Sequence, residues 1–298
     1  MKRTLLFIAV LICLGSTTWA VDFISPKHLG ADARSIGLGQ VFGFSKNASS
    51  VFKNPAYLNQ SSADISLSLF KTEIIEAEYF NTAMSYKTWG LGYMTVVEDF
   101  WKTSFNDAIS EIEKEKKAEY SSSIYYAVYG FEYEAIPIGI ALKYYHSVLD
   151  NLTGDAFNAD VGFYLEDFMQ IGELSCVLKD ILQTKYTYSN DGKETMPTEM
   201  ISSLKIPFQT QWFFYPQLRL TKGAKFKSAL GCGVEYQLIK FCSLYGGYRE
   251  YYVDDTKKGQ LSGGVALGND LFQVDYALQA AAYHDQNLYH YLSLSINL

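Results

Sequence analysis

Few residues in this chain have types and spacing suited to covalent or metal chemistry. Its four histidines, His28, His146, His284 and His290, show no metal-ligand spacing. His284 and His290 flank a turn, where a polar loop accounts for them. Serine, histidine and asparagine all occur, but no local motif singles out a nucleophile. No catalytic residue is assigned and no enzyme is expected. Gly37, Gly39 and Gly43 do not form a nucleotide fingerprint, because no hydrophobic strand precedes them. Cys176, Cys232 and Cys242 follow the first twenty residues, an odd number without paired metal spacing. If Ala229–Tyr236 and Phe241–Tyr248 pair as a hairpin, Cys232 and Cys242 share its apolar side. A cross-strand disulfide and two small residues packed outward both remain open there. Neither a cofactor nor a metal ion is implied.

The more informative polar residues stand in apolar or glycine-rich settings. Arg34 follows Gly30-Ala-Asp-Ala and precedes Ser-Ile-Gly37, so if enclosed it needs a buried acidic partner. Asp275 is one candidate. Phe272, Val274, Tyr276 and Leu278 take one face of its strand, which leaves Asp275 on the other. Asn54-Pro55-Ala56 favours an extended residue and then a turn. It reads either as a passage or ligand contact or as a turn that anchors its segment.

The elements that must position these residues are strands. The last eight residues, Tyr291-Leu-Ser-Leu-Ser-Ile-Asn-Leu298, alternate without a fault. Leu292, Leu294, Ile296 and Leu298 point one way; Ser293, Ser295 and Asn297 point the other. Such an apolar terminal strand would be an exposed edge in an open sheet, whereas in a closed barrel it pairs with the first strand. That first strand reads as Asp64–Phe70. Further strands read at Glu78–Lys87, Trp89–Glu98, Tyr120–Tyr129, Ile138–Val148, Asn158–Glu166 and Glu173–Leu182. Phe208–Leu220, Lys225–Tyr236, Phe241–Tyr251, Gly259–Leu267, Leu271–Gln279 and Leu288–Leu298 complete the series. An even count is expected of a bacterial barrel, so 14 strands are expected, with 12 as the near alternative. Residues 104–117 read either as a short helix in a loop or as a solvated charged loop, and Thr184–Leu204 as a long loop.

Met1–Ala20 reads as a secretory signal peptide: Lys2 and Arg3, an apolar run, then Thr18-Trp-Ala20. Aromatic residues make up 16% of the chain and charged ones only 19%, a balance suited to a barrel whose exterior meets hydrocarbon. A tyrosine-rich soluble β-sandwich is the lesser alternative. The net charge of −7, without a polybasic block, argues against nucleic acid as a partner. The fold class is therefore all-β, a transmembrane antiparallel barrel. Residues 1–20 form the signal peptide, 21–60 a compact glycine-rich plug and 61–298 the barrel.

In these segments the chain resembles the PorV/PorQ-type outer-membrane proteins, within the wider FadL-like transporter group. The resemblance rests on Gly30-Ala31-Asp32-Ala33-Arg34-Ser35-Ile36-Gly37-Leu38-Gly39, then Asn54-Pro55-Ala56-Tyr57-Leu58. Gly233-Val-Glu-Tyr236, Tyr245-Gly-Gly-Tyr-Arg249, Asp275-Tyr276-Ala277 and His290-x-x-Ser293-Leu294-Ser295 agree as well. Asp32 interrupts the family's Gly-Ala-Arg run, and Leu298 stands where an aromatic residue usually ends such chains. The resemblance implies a 14-stranded barrel in the bacterial outer membrane with an N-terminal hatch in its lumen. It also implies either of two roles. One is passage of hydrophobic small molecules through an apolar lumen; the other is a carrier or docking subunit for a type IX-like secretion apparatus.

Overall fold

A computed structural model describes residues 26, 30–60, 63–74, 77–102, 116–150, 152–190, 192–223, 226–253, 256–280 and 288–298. The signal-peptide reading and most of the helix expected at 104–117 lie outside them. So do His28 and His284.

Sixteen strands are present among the described residues. The first seven are β1 (Ile65–Ile74), β2 (Ala77–Tyr86), β3 (Trp89–Lys102), β4 (Lys116–Tyr133), β5 (Ile136–Leu149), β6 (Leu152–Phe168) and β7 (Gly172–Lys179). A small hairpin follows, β8 (Lys185–Tyr188) and β9 (Lys193–Thr195). The remainder are β10 (Thr198–Gln209), β11 (Trp212–Lys222), β12 (Phe226–Ile239), β13 (Cys242–Val253), β14 (Thr256–Gly268), β15 (Phe272–Ala280) and β16 (Leu288–Asn297). All but β8 and β9 form one ring of 14 antiparallel strands, each paired to its neighbour in sequence, with β7 beside β10 and β16 beside β1.

The seam is the expected one: Leu69 faces Leu294 and Leu67 faces Ile296. At its end Leu298 N–H donates to Ile65 O at 2.7 Å, and Ile65 N–H donates back at 3.1 Å. Short turns gather at this end of the ring. In the β4–β5 turn Glu134 and Ala135 both take positive φ, 48° and 64°, the primed geometry that matches strand twist. The longer connections lie at the opposite end, and in bacterial barrels the short turns face the periplasm.

Alternation sorts the side chains. Leu67, Leu69, Leu91, Leu142, Phe157, Leu230, Leu244, Leu261, Tyr276 and Leu292 stand exposed on the outer face. Aromatic pairs rim the short-turn end, Trp89 on Tyr129 and Trp212 on Tyr236, both with ring centroids 4.5 Å apart. An exterior this apolar is stable against lipid rather than water. No helix among the described residues is long and apolar enough to cross a membrane.

Thirteen strands are readable in the sequence; the fourteenth, β10, falls largely inside the segment Thr184–Leu204 that reads as a loop. Ile201 points inward, packing with Phe42 and Val177, while Ser202 takes the outward parity. That inverts the apolar/polar pattern, and Pro207 adds a register irregularity. The rest of the supposed loop contains the β8–β9 hairpin, which pairs with β6 at Gly154 and Asp155. Cys232 lies opposite Tyr248 and Cys242 opposite Ile239, so the two thiols do not face each other, and both are free.

Candidate functional site

Residues 30–60 lie within the ring and are almost wholly buried. Alternation places serines, amides and carboxylates on the inner face of the strands, and these meet the backbone of the segment. Ala33 N–H donates to Ser293 Oγ at 3.2 Å, Ala48 N–H to Ser66 Oγ at 2.8 Å and Phe42 N–H to Gln217 Oε1 at 2.8 Å. Asn81 Nδ2 donates to Ala31 O at 2.9 Å. These contacts come from opposite sides of the barrel, so the segment spans the lumen.

The segment has its own polar core. Asp32 caps the five-residue helix Ala33–Gly37 by accepting from Ser35 N–H. Its other carboxylate oxygen accepts from Ser49 Oγ at 2.7 Å and Lys53 Nζ at 2.5 Å. Lys53 also donates to Ser45 Oγ. Burial raises the Asp32 carboxyl, but the Lys53 charge and three hydrogen bonds outweigh it and hold the group well below the usual carboxylate range. For Lys53 burial prevails, and its ammonium lies below its ordinary value despite Asp32.

The residues singled out from sequence fall at two anchor points. Arg34 pairs with Glu235 at 2.6 Å, and Tyr215 Oη donates to the same carboxylate at 2.6 Å. Asp275 is inward and buried as its parity requires, but its hydrogen bonds come from Gln273 Nε2 at 2.8 and 3.0 Å. Glu235, the carboxylate bonded to Arg34, was missed by sequence reasoning. Its signal was an acid on the parity opposite Leu230 and Val234. Asn54, Pro55 and Ala56 seat against β5, β6 and β7. Asn54 Nδ2 donates to Ser175 Oγ at 2.8 Å and to Phe163 O at 3.1 Å, while its Oδ1 accepts from Ala56 N–H at 3.0 Å. The wall is glycine there for lack of space. A Cβ on Gly162 would lie 2.0 Å from Asn54 Oδ1, and one on Gly139 would lie 2.2 Å from the Pro55 carbonyl carbon.

The two sides of the lumen differ in chemistry. On β16 and β1–β4 the inward set includes Tyr291, Phe70, Tyr79, Val96, Ile124 and Tyr126, all buried and joined in one apolar cluster. On β5–β7 and the strands beyond, it includes Lys143, Asp160, Lys179, Gln217, Glu235 and Asp275. Lys143 bridges Asp160 at 2.5 Å and Asp180 at 2.6 Å, and Tyr145 Oη donates to Asp180 at 2.7 Å. An apolar lumen thus holds for one side only. A cavity of about 300 Å³ opens at the short-turn end, lined by Asp32, Arg34, Glu235, Lys240, Asp275 and other polar groups. Among the described residues no His, Cys, Asp and Glu cluster is placed to hold a metal ion.

A closed 14-stranded ring with an apolar exterior is the architecture of an outer-membrane barrel. Among solved structures, the Ralstonia pickettii toluene transporter TbuX matches at a TM-score of 0.64 and 12% identity, over 90% of this chain and 98% of that one. The CymD monoaromatic hydrocarbon channel matches at 0.61 and 13%, over 91% and 98%. The Pseudomonas putida toluene transporter TodX matches at 0.61 and 11%, over 90% and 99%. At these identities the likeness is one of fold. No family model and no curated protein matches the sequence.

Proposed function

We propose that the chain is exported through its first twenty residues to the bacterial outer membrane. There it passes hydrophobic small molecules through the barrel, with residues 30–60 acting as the hatch. The observation that carries this reading is the aromatic and aliphatic strip inside the barrel: Phe70, Tyr79, Val96, Ile124 and Tyr291. A water-filled pore has no use for such a wall, because burying it from water is what stabilises it. In this conformation the strip is packed shut against the segment, so passage requires the segment to shift. The shared fold of the toluene transporters and the hydrocarbon channel supports the same reading. So does the resemblance to the PorV/PorQ and FadL-like proteins.

The test is uptake by whole bacteria, since apolar solutes cross plain phospholipid vesicles unaided. Cells expressing the chain should take up labelled naphthalene faster than control cells, with no change for a disaccharide. Equal naphthalene rates would overturn the proposal. Unchanged uptake together with a protein partner retained in mild detergent would instead support the carrier role in secretion.

A further inference from the structure

The cavity at the short-turn end is bounded on one side by residues 44–47 of the N-terminal segment and on the other by β12–β15. Its lining includes Asp275, a carboxylate only 2% exposed. The charges that reach it are those of Asp32, Arg34 and Lys53. Arg34 is bonded to Glu235 at 2.6 Å and Lys53 to Asp32 at 2.5 Å, so both cations are already committed. Three buried carboxylates, Asp32, Glu235 and Asp275, thus share two cations. Asp275 is left with the neutral amide of Gln273, whose Nε2 donates to both its oxygens.

A buried carboxylate held only by a neutral donor lacks one positive charge. A metal ion fits poorly, since hard cations take about six or more oxygen ligands. Among the described residues no His, Cys, Asp and Glu cluster is placed to supply them. A primary ammonium fits better: it is a compact charge with donors of its own. The rim of the same cavity has the opposite balance. Lys46 and Lys240 stand exposed there, neither in an ion pair among the described residues, and they outnumber the exposed Asp270. The cavity is therefore negative at its buried carboxylate and positive at its mouth. Its volume of about 300 Å³ suits a small molecule.

We propose that this cavity binds a small zwitterion, its primary ammonium on Asp275 and its carboxylate toward Lys46 and Lys240. The site is separate from the apolar strip and from any hydrophobic passenger. Its occupant touches residues 44–47 and the wall together, so binding holds that part of the segment in place.

Calorimetric titration of the whole purified protein in a maltoside detergent tests it, with 4-aminobutyrate, butylamine and butyrate as probes of matched length. The zwitterion should bind at least about tenfold more tightly than butyrate, the scale of a charge-assisted hydrogen bond, with butylamine between them. Deuterium exchange at residues 44–47 should slow when 4-aminobutyrate is bound. Asp275→Asn should abolish the preference for the two amines, with the heat-dependent gel shift checking that the variant still forms a barrel. If neither amine binds the unaltered protein more tightly than butyrate, the proposal is overturned without recourse to any variant. Butylamine equal to 4-aminobutyrate would overturn the part given to Lys46 and Lys240. Naphthalene uptake is a separate measurement, so failure of either reading leaves the other standing.

Discussion

The two sides of the lumen wall belong to one ring of strands with one hydrogen-bonding pattern, yet they hold the N-terminal segment by different physics. The side formed by β16 and β1–β4 presents aromatic and aliphatic faces, and its grip joins burial to uncharged hydrogen bonds from Ser66, Tyr79, Asn81, Ser293 and Ser295. The side from β5 onward presents charges and amides, and its grip is directional. Burial tolerates sliding, because a ring shifted by an ångström still covers apolar area. A buried ion pair does not, because separation leaves two charges in a poor solvent. The aromatic side is therefore the more tolerant of displacement and the charged side the less.

The largest loss is expected within the charged wall itself, from Lys143→Met. It removes the cation that pairs with both Asp160 and Asp180. A loss of about 3–5 kcal/mol is expected, read from the urea midpoint of the refolded barrel. The seam should be the next most sensitive place. Leu294→Arg puts a charge on the lipid-facing surface and should cost about 2–4 kcal/mol near the bilayer midplane by the same measurement. On the aromatic side, Tyr79→Phe removes only the hydroxyl that donates to Gly30 O at 2.7 Å. It should cost about 1–3 kcal/mol and chiefly loosen the segment, seen as faster deuterium exchange at residues 30–37. A cost at Tyr79 equal to that at Lys143 would erase the distinction.

The smallest effect is a pH dependence. Asp32 sits below its unfolded value of 3.8, so its contribution is present above that value and fades only as pH falls through the lower folded one. Lys53 also sits below its unfolded 10.5, so the unfolded chain holds that proton more readily and stability does not fall as pH rises through the lowered value. Protection of residues 45–53, corrected for intrinsic exchange rate, should therefore hold from pH 4 upward and weaken first as pH falls below 3.8. Weakening first on the alkaline side would contradict the assignment.

Much of the barrel is legible in the sequence because alternation is a local signal: Leu67, Leu69, Leu292, Leu294 and Ile296 declare an outward face without knowledge of any partner. The closing pair is legible for the same reason, since only a ring leaves such a strand without an edge. β10 is not, because its inward Ile201 answers to Phe42, 159 positions away by number, and no local pattern records that contact. Site residues divide similarly. Asp275 could be placed inside from its own strand, whereas the choice of Glu235 as the partner of Arg34 depends on how far β12 slides against β11 and β13. The crowding at Gly139 and Gly162 was visible only as glycine in strands, a cost whose cause lay elsewhere in the chain.

The seam has a consequence for assembly. Leu298 and Ile65 exchange hydrogen bonds, while the same two strands offer Ser66, Ser293 and Ser295 to the segment at Ala48, Ala33 and Asn47. The strand pair that closes the ring is thus also one that holds residues 33, 47 and 48 inside it. Closure and capture of the segment are coupled, and removing β16 would cost the ring both its seam and two of these contacts.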